Sequence, residues 1–164
     1  MIFKNIKKIF HISLIFPVFI FILDRISKIY VINLSKISFD TELFSSKYLN
    51  ITLIWNEGIA FGIFSFEEKI FYNLITIIIG IVIMIIIWLM LKAKGLEKYS
   101  FIMVLGGSLG NIFDRLTYSA VPDFIDFHYK SFHWFIFNVA DIFITLGVLL
   151  LIFKEFFTKK RDLK

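Results

Sequence analysis

From Ile70 to Leu91 the chain is apolar throughout, with only Asn73, Thr76 and Gly80 breaking the run. About 20 such residues in a helix cross a hydrocarbon core of roughly 30 Å, and no other feature of the sequence restricts the possible folds so strongly. Three further stretches read the same way: Ile9 to Leu34, Tyr99 to Leu116 and Trp134 to Phe157. The whole chain of 164 residues is 59% hydrophobic and contains 22 Phe, well beyond the composition of a soluble domain. Four membrane-spanning helices in one domain, residues 1–164, is the simplest organisation.

The charges follow the spans. Lys4, Lys7 and Lys8 precede the first run; no small-residue cleavage site follows it, so it is expected to be retained as a span. Residues 92–98 and 158–164 are mostly basic, whereas residues 35–69 are balanced by Asp40, Glu42, Glu57, Glu67 and Glu68. Basic segments stay on the cytoplasmic side, so both termini are expected there and residues 35–69 and 117–133 on the outer face. The net charge of +5 is accounted for by these flanks and gives no reason to invoke nucleic acid. Trp55, Trp88 and Trp134 are expected as interfacial anchors. With no cysteine, disulfides, thiolate nucleophiles and thiolate metal sites are excluded. His11, His128 and His133 lack ligand-like spacing, so no metal or other cofactor is expected.

Polar residues inside the spans are costly and therefore informative. With a helical rise of about 1.5 Å per residue, Asp24 lies about 22 Å up the first helix, and Asn111 and Asp114 about 18 and 22 Å up the third. Asn138 and Asp141 fall about 6 to 10 Å below the outer end of the fourth. All converge on the outer leaflet. Asp24 with Lys28, Asn111 with Asp114 and Arg115, and Asn138 with Asp141 each share a helix face at spacings of three or four. Gly106, Gly107 and Gly110 would let the third helix approach its neighbours closely. Each feature also has a plainer reading: Asp24 with Lys28, or Asp114 with Arg115, as a neutralising ion pair, Asn138 as an interhelical hydrogen bond, and the glycines as packing.

Gly106-Gly107-Ser108-Leu109-Gly110 fits the G-x-S-x-G elbow of serine hydrolases, with His133 as an imaginable base. That elbow needs a strand before it and a helix after it, and here it sits inside a helical run, so a serine enzyme is not expected.

Five blocks occur in order: DRISK (Asp24 to Lys28), NEGIAFG (Asn56 to Gly62), GGSLGNIFDR (Gly106 to Arg115), VPDFIDF (Val121 to Phe127) and FNVAD (Phe137 to Asp141). Together they resemble the lipoprotein signal peptidase (signal peptidase II) family of bacterial inner-membrane aspartyl peptidases. The resemblance implies an all-α integral membrane protein with four transmembrane helices and a small β-rich cradle, around residues 35–62, on the outer face. It implies cleavage of a prolipoprotein before a diacylglyceryl-modified cysteine, with Asp123 and Asp141 as the catalytic pair. Asp24, Lys28, Asn56, Gly107, Asn111, Asp114, Arg115, Asn138 and Ala140 would be the supporting and substrate-binding residues. The expected partners are modified prolipoproteins and membrane lipids, with the protein acting as a monomer. Pro122 stands where the family usually has Val or Ile, and Ser108 where alanine is usual.

Two carboxylates sharing a proton suit this chemistry, since one can take a proton from water while the other polarises the scissile carbonyl. Two other classes are compatible with buried charge. A small channel or transporter would be expected to carry charge deeper in the membrane and an internal repeat, which the chain does not show. A structural partner would need packing motifs but not two aspartates and two asparagines in one layer.

Overall fold

The structure, a computed structural model, describes residues 2–57 and 68–162. It is mostly helical with one small antiparallel sheet. In chain order it comprises α1 (Ile2–Ser38), β1 (Glu42–Phe44), β2 (Leu49–Asn56), α2 (Glu68–Lys92), α3 (Leu96–Tyr118), β3 (Val121–Tyr129), β4 (Phe132–Phe137) and α4 (Val139–Asp162).

Helix α3 is central and packs against α1, α2 and α4. Its glycines explain how. A Cβ on Gly106 would lie 2.7 Å from the Ile20 Cβ of α1, and one on Gly107 would collide with the Ala140 carbonyl oxygen of α4. Small residues here allow backbones to come together where longer side chains would hold them apart. Between α2 and α3 the contact is made by side chains instead, with Ile83, Ile86 and Met90 against Ile102, Val104 and Leu105.

Burial is inverted relative to a water-soluble bundle. Asp24, Lys28, Asp114 and Asn138 are fully buried, while Ile77, Ile81, Met84 and Trp88 on α2 and Leu149, Phe153 and Phe156 on α4 are exposed. Lipid tails solvate apolar side chains without penalty, so such surfaces are stable only in an apolar medium. Among the described residues, Tyr72–Lys92 of α2 is the run long and apolar enough to cross a membrane by composition alone. Helix α1 carries Asp24, Arg25 and Lys28, and α3 carries Asn111, Asp114 and Arg115, within their lengths.

The sheet runs in the order β1-β2-β3-β4, every neighbour antiparallel. Two expectations change here. The sheet is not confined to residues 35–62, because its other two strands come from residues 121–137; of the expected cradle segment, residues 58–62 lie outside the described residues. The fourth helix starts at Val139 rather than Trp134. Residues 132–137 form β4 because Lys130, with φ of 56°, turns the chain back on β3, placing Phe132 opposite Tyr129 and His133 opposite His128. At the end of α3, Ser119 takes a left-handed conformation and its N–H bonds the Arg115 carbonyl at 3.2 Å. This cap ends the helix and sends the chain directly into β3, which carries Asp123. Pro122 is tolerated in that strand partly because pairing with β4 begins only at Ile125.

Candidate active site

Asn138 is the residue immediately before α4, and it closes a reciprocal cap with Asp141. The Asp141 N–H donates to Asn138 Oδ1 at 3.2 Å, and the Asn138 N–H donates to Asp141 Oδ2 at 3.1 Å. This is the capping-box arrangement, built from Asn and Asp, and it places a carboxylate in the first turn where the helix dipole favours negative charge. It also replaces the expected common helix face for these two residues, since Asn138 lies outside the helix.

With its oxygen committed to the cap, the Asn138 side chain must point its amide the other way. Its Nδ2 donates to Asp123 Oδ1 at 2.6 Å. Asn56 Nδ2, from the neighbouring strand, donates to Asp123 Oδ2 at 2.9 Å. Asp141 Oδ1 accepts from Asn111 Nδ2 at 2.8 Å. Strand β3 and helix α4 thus each supply one carboxylate, and Asn138 hydrogen-bonds both.

Behind Asn111 lies a buried charge cluster. Lys28 Nζ donates to Asn111 Oδ1 at 2.8 Å and to Asp114 Oδ2 at 2.7 Å, and is 3.0 Å from Asp24 Oδ2. Arg25 clasps Asp114 with Nη1 at 2.5 Å and Nη2 at 2.7 Å, and its Nη2 also reaches Asp24 at 2.9 Å. Asp24 Oδ1 accepts the Ala140 N–H at 3.0 Å. Two carboxylates face two cations, and Lys28 has an acceptor for each of its three protons. Buried charges persist only when compensated in this way. The cluster fixes the Asn111 amide with its oxygen toward Lys28 and its nitrogen toward Asp141.

Asp24, Lys28, Asn56, Asn111, Asp114, Asp123, Asn138, Ala140 and Asp141, all expected at the site, belong to this one network. Gly107 contributes space, by letting α4 approach at Ala140. Arg115 is placed elsewhere: its guanidinium sits 5.5 Å from the Tyr72 ring and its carbonyl accepts the Tyr72 hydroxyl at 3.2 Å. Arg25 is the residue that sequence reasoning missed. The available signal was charge balance, because Asp24 and Asp114 need two cations and Lys28 supplies one. Ser108 lies in the middle of α3, and His133 bonds Asp126 at 2.8 Å, so neither is placed as a serine hydrolase requires.

Burial pushes Asp123 up to about 6; hydrogen bonds from Asn56 and Asn138 oppose the shift, the charge of Asp141 adds to it, and Lys28 opposes it. Beside Asp141, a cavity of about 610 Å³ opens between the sheet and α4. Its walls include Phe127, Trp134, Phe135, Phe137, Ile142 and Leu146. A carboxylate at the edge of an apolar cavity, next to a second carboxylate of raised proton affinity, can hydrolyse a bond presented by an apolar ligand.

A model of the family described as signal peptidase (SPase) II matches residues 16–157. The chain belongs to the signal peptidase II family. This peptidase is 48% identical over 158 residues to the lipoprotein signal peptidase of Pelagibacter ubique (strain HTCC1062), covering 96% of this chain and 95% of that one. It is 38% identical to the lipoprotein signal peptidase of Anaplasma phagocytophilum (strain HZ), covering 81% and 84%. A solved structure described as a bacterial membrane enzyme superposes with a TM-score of 0.73 at 30% identity, covering 87% of this chain and 90% of that one. Membership makes the protein a peptide-bond hydrolase of the aspartic class. The channel or transporter reading finds no support in any of these relatives.

Proposed function

We propose that Asp123 and Asp141 are the catalytic pair with which the peptidase, which removes the signal peptide from lipoproteins, cuts before a diacylglyceryl-modified cysteine. The observation that carries this reading is the Asn138 side chain, which hydrogen-bonds Asp123 while capping the helix turn that presents Asp141. In the reaction one carboxylate of the pair is ionised and removes a proton from water as the water oxygen attacks the scissile carbonyl. The protonated partner donates to the carbonyl oxygen, giving a neutral tetrahedral intermediate. Collapse breaks the C–N bond, and a carboxyl proton passes to the departing amine.

The membrane arrangement is part of the same proposal. All four helices span the bilayer as a single domain, the termini are cytoplasmic, and the sheet lies at the outer headgroup layer of the bacterial inner membrane. The exposed apolar side chains on α1, α2 and α4 support four spans, because the charged groups of α1 and α3 are turned inward and neutralised. The apolar cavity beside Asp141 suits an acyl-bearing substrate held in the outer leaflet. The enzyme acts as a monomer, both aspartates lying in one chain.

The test supplies detergent-purified protein with one prolipoprotein, in diacylglyceryl-modified and unmodified forms, and compares wild type with Asp123→Asn and Asp141→Asn. Cleavage of the modified form alone, absent from both folded variants, is the expected result. Continued cleavage by either variant would remove that residue from the pair.

A further inference from the structure

At the opposite end of α3, about 22 Å along the helix from Asn111, a second cavity lies where α2 ends and α3 begins. Its volume is about 470 Å³, and Leu91, Lys92, Lys94, Lys98, Tyr99 and Ile102 are among the residues that line it. Three lysines thus converge on one concavity. Among the described residues none of the three is paired with a carboxylate, and the nearby Glu97 is held by Lys154. The cavity sits at the end of the Tyr72–Lys92 membrane run, and Lys92 Nζ lies 3.6 Å above the Trp88 ring, an aromatic–basic pairing typical of the headgroup layer. Helix α3 begins there without a side-chain cap.

We propose that this pocket binds the phosphate of an anionic phospholipid headgroup. The positive wall favours a phosphate diester, and basic pockets between membrane helices recognise such headgroups. A zwitterionic headgroup would bring its own ammonium toward the lysines, and no carboxylate is among the described residues that line the cavity, the neighbouring Glu97 being engaged by Lys154. A lipid rather than a soluble phosphate is favoured because the apolar part of the wall continues outward: Leu91, Leu96 and Tyr99 are all exposed at this end of α2 and α3. The acyl chains would lie along these residues. This site involves neither aspartate and does not depend on their role.

Native mass spectrometry of the detergent-solubilised chain tests the assignment, with phosphatidylglycerol and phosphatidylcholine added separately. Phosphatidylglycerol is expected to be retained preferentially, with affinity falling about fivefold for each lysine removed in Lys94→Gln and Lys98→Gln and the losses combining in the double variant. Peptidase activity in detergent should be unchanged in these variants. Lys47→Gln/Lys130→Gln, in the sheet connections at the other end of the molecule, is expected to leave lipid retention as in wild type. Equal retention of the two lipids, undiminished retention in the double variant, or an equal loss in Lys47→Gln/Lys130→Gln would overturn the proposal. So would displacement of the lipid by millimolar inorganic phosphate, which would make the pocket a site for free anions.

Discussion

Asn138 and Asp141 hold each other in place: each backbone N–H donates to the other's side-chain oxygen, at 3.1 and 3.2 Å. The same Asn138 side chain reaches Asp123 at 2.6 Å. One asparagine therefore has two separable functions, ending the loop into α4 and bridging the carboxylates. Asn138→Ala should lose both: about 1 kcal/mol of stability from the missing cap, and roughly 10²-fold or more in kcat from the lost orientation of the pair. Asn138→Ser keeps a capping oxygen but no amide donor, so it should recover the melting temperature and not the rate. Thermal unfolding and turnover measured on both variants separate the roles; equal recovery of rate in Asn138→Ser would show the bridge to be dispensable.

The charge cluster around Lys28 predicts a different response. Removing the ammonium in Lys28→Met leaves Asp24 and Asp114 sharing Arg25 alone, with one buried negative charge uncompensated. Such a loss costs on the order of 3–5 kcal/mol. Lys28→Met/Asp114→Asn restores neutrality and should regain much of that stability. Unfolding in detergent is the measurement, and a Lys28→Met variant as stable as wild type would show that the cluster does not need its charge balance.

Asp123 makes stability depend on pH in a direction opposite to that of most carboxylates. Its proton affinity is raised to about 6 by burial, so between the ordinary carboxylate value and 6 the folded state holds a proton that the unfolded chain has released. Stability from this group is thus complete below about pH 4 and declines as pH rises through 6. Asp123→Asn should remove this decline, so the variant is stabilised relative to wild type at pH 7 more than at pH 4.5. Melting temperatures at the two values, with a parallel difference in both proteins as the contrary outcome, decide it.

Much of this arrangement is legible in the sequence because helix periodicity carries it. The spacing of Asp24 with Lys28 and of Asn111 with Asp114 puts each pair on one face, and an apolar surround requires such groups to meet. What periodicity does not carry is the sheet. The stretch Phe132 to Phe137 is a short apolar run that reads equally well as the start of a helix, and only its pairing with β3 decides for a strand. The boundary did have a local signal, since Asn138 three residues before Asp141 is a cap pattern. Arg115 shows a limit of the same kind: sharing a face with Asn111 does not fix where a long side chain reaches, and its guanidinium lies against Tyr72 on α2. The meeting of Asp123 with Asp141 depends on how β3 is set against the first turn of α4, which helix periodicity does not encode, and the pairing of these two aspartates is what the resemblance to the family implies.

Two glycines in helices offer a contrast that tests how close α3 and α4 must be. A Cβ on Gly80 would meet only Ile112 Cδ1 at 3.8 Å, an ordinary contact, so Gly80→Ala should stabilise α2 by about 0.5–1 kcal/mol through its better helix propensity, with no change in rate. A Cβ on Gly107 would press on Ile144 Cγ1 at 2.8 Å and collide with the Ala140 carbonyl oxygen, which is backbone and cannot rotate away. Gly107→Ala must therefore move α4 at its first turn, which carries Asp141 and accepts its cap from Asn138. Overpacking of this kind costs about 1–3 kcal/mol, and a displacement near 1 Å of a catalytic group costs on the order of 10²-fold in rate. The variant should fold, melt lower and turn over far more slowly, while Gly80→Ala melts higher at wild-type rate. If Gly107→Ala kept full activity, Asp141 would not need the position that this close packing gives it.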